Sequence, residues 1–217
     1  MLAKGVKKPG SSLRPLVQPF CHVRLYLAKG RTIDIITQGQ LVDFFGRLRE
    51  ELFATMQAVY MMELLDKALM DGVALPALFN STLKVLRVMD EDGPDPLLLR
   101  FFEMRLLAEL GYAPALTHCV GCDSAEVGGG LFKLSEGGLL CPRCAREQGG
   151  GVILKPDSLA LLRLLLNGNL QALKRVRVSP AGLVRLEHFL EDYLEYHLER
   201  KFVTKNTIRI LKHNLHL

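Results

Sequence analysis

Four cysteines within one glycine-rich stretch constrain this chain more than any other feature. "CVGCDSAEVGGGLFKLSEGGLLCPRC" runs from Cys119 to Cys144 as two Cys-x-x-Cys pairs with eighteen residues between them. Each pair can close a tight turn around an ion, and the loop brings the pairs together, which is the spacing of a structural zinc site. The loop has too few apolar residues to fold alone. Metal binding by such modules contributes on the order of 10–16 kcal/mol, enough to fold it. Cys119, Cys122, Cys141 and Cys144 are therefore the expected ligands of a structural Zn2+. A full set of protein thiolates leaves no open position for substrate or water. A redox pair or an iron–sulfur site are the alternatives. A thiol-redox site calls for one Cys-x-x-Cys beside a βαβ pattern, which the sequence lacks. The loop "GGGLFKLSEGGLL" reads as a short β-ribbon with turns at Gly128–Gly130 and Gly137-Gly138. His118 reads as an exposed neighbour of the site, and Arg143 and Arg146 as partial offsets to its negative charge.

The compartment matters to that reading. No apolar run approaches the roughly 18–20 residues of a membrane span. The N-terminus "MLAKGVKKPGSS" is basic but has no apolar signal-peptide core. A cytoplasmic, nucleoid-associated protein is expected, and in a reducing cytosol paired cysteines favour metal over disulfide. The 217 residues are 49% hydrophobic and 24% charged, enough for one large domain or two small ones.

Charge is unevenly placed. Residues 1–33 carry seven Lys/Arg (Lys4, Lys7, Lys8, Arg14, Arg24, Lys29, Arg31) and no acid. Residues 200–217 carry five (Arg200, Lys201, Lys205, Arg209, Lys212) and again no acid, while 34–199 hold sixteen basic and twenty-three acidic residues, net −7. Two basic chain ends flanking an acidic middle favour a polyanionic partner, nucleic acid before membrane.

Periodicity divides the chain. Residues 19–27, "PFCHVRLYL", alternate with period two: Cys21, Val23, Leu25 and Leu27 face one way, Phe20, His22, Arg24 and Tyr26 the other. With "TIDIITQ" this predicts a hairpin of Pro19–Leu27 with Thr32–Thr37. Either "LAKGVKK" adds a third strand or another element covers the pair, because two strands alone are marginal. From Gly39 the period becomes helical. Gly46 is expected to divide a short helix from a long one ending near Asp71-Gly72. Further helices follow in "LPALFNSTLKVLRVMDED", in "PLLLRFFEMRLLAEL" after Asp95 and closing at Gly111, and in "KPDSLALLRLLLNGN" capped by Asp157 or Ser158. "SPAGLVRLEHFLEDYLEYHLERKF" opens on Ser179 and Pro180, and "TKNTIRILKHNL" is capped by Thr204.

The first strand carries the candidate binding surface. Bases stack on aromatic rings while cations track phosphates, so Phe20, His22, Arg24 and Tyr26 suit a single strand. The competing reading packs Phe20 and Tyr26 under the helices. Cys21, on the apolar side, reads as a buried small hydrophobe. The acidic pairs Glu50-Glu51, Asp90–Asp92 and Glu191-Asp192 fall at helix surfaces or ends, away from any nucleophile, and neither a P-loop nor G-x-S-x-G is present. No enzyme is expected.

Segments spread over the whole chain resemble the RecO family of DNA repair proteins. "AKGVKKPGSSLRPLVQPF", "LYLAKGR" and "DIITQGQLVDFF" are similar to its N-terminal region. "LLLRFFEMRLLAELGYAPALTHCVGC" and "GGLLCPRC" resemble its zinc module, and "FLEDYLEYHLERKFVTKNTIRIL" its closing segment. The resemblance implies an N-terminal OB barrel, a helical domain and a zinc finger. It implies a recombination mediator that binds single- and double-stranded DNA and anneals strands. It further implies contact with the C-terminal tail of single-stranded DNA-binding protein and, with RecR, loading of RecA. An OB barrel needs about five strands. Here "MLAKGVKK" resembles the family's third strand, and the opening hairpin has no counterpart. A different start, a truncation or a reduced barrel each account for this, and exposed strand edges are expected.

The expected fold is therefore mainly α with a small N-terminal β region. A partial OB-fold spans 1–38, a helical bundle domain 39–217, and a zinc-ribbon-like module at 119–144 is inserted in the latter. Lys4, Lys7, Lys8, Arg14, Arg24, Lys201, Lys205 and Arg209 are the expected DNA contacts. The rival function is a zinc-stabilised protein-interaction scaffold without DNA binding.

Overall fold

The computed structural model describes residues 1–127 and 130–214, the last three by backbone alone. Gly128 and Gly129, expected in a turn, lie outside the described residues. The chain begins as a small β lobe. Strands β1 (His22–Ala28) and β2 (Ile35–Asp43) pair antiparallel, from His22 opposite Asp43 to Ala28 opposite Ile35. Val23 and Leu25 lean on a small core of Leu13, Leu16 and Ile36. A 3₁₀ turn at Pro15–Val17 helps place Leu13 and Leu16 three residues apart on one side.

Three expectations fail here for local reasons. The register shifts between Tyr26 and Leu27, so the alternation breaks and Leu27 emerges exposed. The helical period does not begin at Gly39. That glycine lies within β2 opposite Leu25, where a Cβ would come within 2.6 Å of Leu16 Cδ1. Nor does "LAKGVKK" form a strand. It adds a single parallel bridge, Leu2 to Ile35, through Leu2 N–H to Asp34 O at 2.8 Å and Ile36 N–H to Leu2 O at 3.0 Å. Among the described residues no further strand joins this pair, and the partial barrel does not close.

Helices follow as α1 (Gly46–Glu50), α2 (Leu52–Ala68), α3 (Pro76–Asp92) and α4 (Pro96–Glu109). The break between α1 and α2 is at Glu51, not Gly46. The Glu51 carboxylate accepts from the N–H groups of Phe53 and Ala54 and so caps α2. Helix α4 is buried almost all round, from Leu97 to Met104 without interruption, which marks it as the centre of the bundle. Asp95 caps its start at 2.7 Å from Leu97 N. At its end Tyr112 N–H reaches Leu107 O and Gly111 N–H reaches Ala108 O, with Gly111 at φ +85°, a Schellman closure.

The cysteine region interrupts the bundle with strands β3 (Leu131–Lys133), β4 (Gly138–Leu140) and β5 (Val152–Ile153), in sheet order β4-β3-β5, and helix α5 (Pro142–Gln148). The ribbon and the Gly137 turn (φ +66°) match the sequence reading; β5 is an addition. The bundle resumes with α6 (Pro156–Asn167), α7 (Leu170–Leu173), α8 (Pro180–Leu198) and α9 (Val203–Asn214). Ser179 caps α8 as expected, its Oγ 3.1 Å from Gly182 N. Asp157 and Ser158 do not cap α6. That helix starts at Pro156, with Lys155 in the cap position two residues before Asp157, and Asp157 instead pairs with Arg185 at 2.5 Å.

Candidate metal centre and basic surfaces

The two cysteine pairs converge from different elements. Cys119 and Cys122 sit on the turn after α4, where Asp123 N–H bonds Cys119 O at 2.8 Å. Cys141 ends the β4 side and caps α5, and Cys144 lies in its first turn. The four Sγ atoms lie within 4.8 Å of one another, with Cys122 and Cys141 at 3.6 Å. A tetrahedral ion bound by thiolates at about 2.3 Å spaces its sulfurs about 3.8 Å apart, so the set fits such an ion.

Backbone donors prepare the sulfurs for negative charge. Cys141 N–H points at Cys119 Sγ at 3.2 Å, and Cys144 N–H at Cys141 Sγ at 3.5 Å. Burial pushes the Cys119 thiol up, but N–H groups of Cys141, Gly121 and Cys122 outweigh it and bring it down to about 6. Cys141 is lowered chiefly by the Cys144 N–H. Cys144 goes the other way, to about 12, through its contact with Cys122 and through burial. A bound cation deprotonates all four. His118 is exposed, its Nε2 3.9 Å from Asp123 Oδ1, and stays outside the sulfur cluster.

The ribbon is fastened to the bundle as well as to the cysteines. Phe132 is fully buried against Phe189 and Tyr193 of α8, at ring distances of 5.0 and 5.5 Å. Gly138 leaves no room for a side chain: a Cβ would lie 2.3 Å from Val120 Cγ1 and 2.8 Å from Ala115 Cβ.

The two basic chain ends differ. Lys4, Lys7, Lys8, Arg14, Arg24, Lys29 and Arg31 are all exposed, and none makes an ion pair among the described residues. At the other end Lys205 is 2% exposed. Its Nζ is 3.3 Å from Glu187 O and 3.5 Å from Glu191 Oε2. Arg209 pairs with Glu187 and Glu191 of α8. Of the C-terminal cations expected to contact DNA, Lys205 is thus buried against α8 and Arg209 is paired with its acids, so neither is presented freely at the surface. Arg200 and Lys201 are exposed; the Lys212 side chain lies outside the described residues.

The aromatic face of β1 is split in the same manner. Tyr26 is exposed, while Phe20 packs on the helical core and His22 meets Phe79 of α3 edge-on at 5.7 Å. Cys21 is half-buried, with Arg49 Nη2 at 3.0 Å from its Sγ, and is not the sealed hydrophobe expected.

Sequence reasoning missed two polar arrangements. Buried Glu103 accepts from Tyr60 Oη at 2.9 Å and lies 3.1 Å from Arg100. Glu63 of α2 accepts from Val203 N and Thr204 N at 2.9 and 3.0 Å, so it, not Thr204, caps α9. Local pattern carries no signal for either, since the partners lie 43 and 140 residues apart in the chain.

Two family profiles cover the chain, Recombination protein O N terminal over residues 1–45 and Recombination protein O C terminal over 49–206. The chain belongs to the RecO family. It is 49% identical over 217 residues to the DNA repair protein RecO of Syntrophomonas wolfei, covering 99% of this chain and 85% of that protein. Against the RecO of Symbiobacterium thermophilum it is 34% identical, covering 97% and 85%. Against that of Bacillus subtilis it is 31% identical, covering 90% and 76%. The junction between the two profiles falls between β2 and α2, where the β lobe meets the bundle. RecO proteins act in DNA repair, and among the described residues the segment matched by the N-terminal profile carries one antiparallel pair, β1 and β2, and no closed barrel.

Proposed function

We propose that the chain is a recombination mediator that works by binding, without catalytic turnover. Its β lobe holds the phosphates of single- and double-stranded DNA, brings complementary strands together, and supports RecA loading together with RecR and the tail of single-stranded DNA-binding protein. One observation carries the DNA part of this reading: seven exposed cations in residues 1–33, unneutralised by any acid in that segment. Lys4, Lys7, Lys8, Arg14 and Arg24 are the assigned phosphate contacts, with Lys201 as an outlying one. The ion in the four-cysteine centre is zinc, and its role is structural. No helix among the described residues is long and apolar enough to cross a membrane, which agrees with a cytoplasmic site of action.

Binding to a fluorescent single strand, measured from low to moderate salt, tests the assignment. Each phosphate neutralised contributes about −0.7 to the slope of log K against log salt. Lys7→Ala with Lys8→Ala should flatten the slope by about 1.4 and leave thermal stability unchanged. A slope the double variant does not alter removes the lobe as the phosphate surface. No binding at all leaves the protein-interaction scaffold as the function.

A further inference from the structure

A cavity of about 460 Å³ opens where β1 meets helices α2 and α3. Its walls come from Phe20, Cys21, His22 and Val23 on one side and from Phe45, Leu78 and Phe79 among others on the other, with no acid in the lining. The size and the apolar character suit an organic ligand. Two features show that the wall is held in place deliberately. Phe20 and Phe45, just before β1 and just after β2, both adopt left-handed backbone, at φ +57° and +48°. For bulky residues that conformation is strained and persists where surrounding structure enforces it.

We infer that this cavity receives one base of a single-stranded nucleic acid whose backbone lies on the β lobe. The inference rests on the phosphate-binding role proposed above for that lobe. Continuity is the first argument: β1 supplies His22 and Val23 to the wall, beside Phe20 just before it, and exposed Arg24 to the adjoining surface. Chemistry is the second. Phe79 is 55% exposed, its ring supported edge-on by His22, and so offers a free aromatic face at the mouth. The His22 imidazole makes no hydrogen bond among the described residues, and its Nδ1 is sealed from water without a partner. The other polar groups of the wall are engaged: Thr82 Oγ1 donates to Leu78 O at 2.9 Å, and Cys21 Sγ contacts Arg49. A flat apolar ring with a polar edge answers both Phe79 and, once the imidazole turns, the unpaired nitrogen. An aliphatic protein anchor answers only the first.

Abasic substitution tests this with the full chain. The probes are a mixed-sequence single strand of fifteen nucleotides, a strand of the same length with a tetrahydrofuran abasic unit at every position, and a duplex. The wild type should bind the intact strand about fivefold or more tightly than the abasic one, the size of one base–aromatic stack. Phe79→Ala should lose that discrimination and bind both as the wild type binds the abasic strand, with the salt slope and the duplex affinity kept. Phe79→Tyr should restore it. His22→Ala, read the same way, covers the case in which Phe79→Ala unfolds the lobe. Equal binding of both strands by the wild type, or discrimination unchanged in both variants, overturns the inference and leaves the cavity to an apolar protein segment. Loss of salt-dependent binding altogether is a different result, because it strikes the lobe's phosphate role and not the cavity.

Discussion

Glu63 illustrates how one side chain can fix a terminal element. Both its oxygens are spent on the first N–H groups of α9, and Lys67 Nζ lies 2.7 Å from one of them. Burial pushes its pKa up, but Lys67 and the N–H donors of Val203 and Thr204 outweigh that, lowering it from an ordinary 4.5 to about 2. A carboxyl depressed in the folded state stabilises above its unfolded pKa and loses that contribution as pH falls. The window here is from about pH 4.5 down to 2. The shift alone caps the contribution at about 3 kcal/mol. Lys67 is partly solvated, so ~1–2 kcal/mol is the expected size. Glu63→Gln should therefore lower the unfolding free energy from urea titration at pH 7 by that amount and flatten the decline of stability below pH 4.5. A variant whose stability falls with acid as steeply as the wild type would assign the acid sensitivity elsewhere.

At the level of elements, the cysteine module depends on two fastenings of different strength. Phe132 and Leu139 join the main core, whereas Cys119, Leu140, Cys141 and Cys144 form a separate small cluster. Metal removal should loosen only the second. Hydrogen exchange on chelated protein should show lost protection around Cys119–Asp123 and in α5, with α2 to α4 still protected and all four thiols open to alkylation. If strand annealing were lost in step with the metal while exchange stayed unchanged, the centre would have more than a structural role. This module was legible in the sequence because its determinants are local: two short spacings, and glycines where the ribbon must turn or where Ala115 and Val120 leave no space at Gly138. Caps built from the helix's own first residues were legible for the same reason, at Asp95 and Ser179. The cap of α9 was not, because its acceptor comes from another helix. The extent of β2 was not, because Gly39 to Asp43 read as the start of the helical period until their pairing with His22 to Leu25 is known.

Over the whole molecule, the two basic chain ends look alike in composition and have opposite fates in the fold. The N-terminal cations are exposed and make no ion pair among the described residues, while Lys205 is drawn into the bundle beside Glu191 and under the Tyr60 ring at 6.0 Å. Burial acts to lower the Lys205 pKa, and Glu103, Glu191 and Glu187 oppose it. Net charge therefore overstates what is offered to a polyanion, since a buried, paired cation releases no counterions from DNA. The two ends can be told apart by opposite pairs of readouts. Lys205→Met keeps most of the stem volume and removes the charge, while Arg209 still accompanies Glu191 and Arg100 still faces Glu103. It should cost about 2 kcal/mol of stability, read as a lower urea midpoint, with the salt slope of single-strand binding unchanged. Lys7→Ala with Lys8→Ala should do the reverse. A Lys205→Met protein of full stability whose salt slope fell by about 0.7 would mean that α9 leaves its seat to meet DNA, and that the C-terminal cations belong to the binding surface after all.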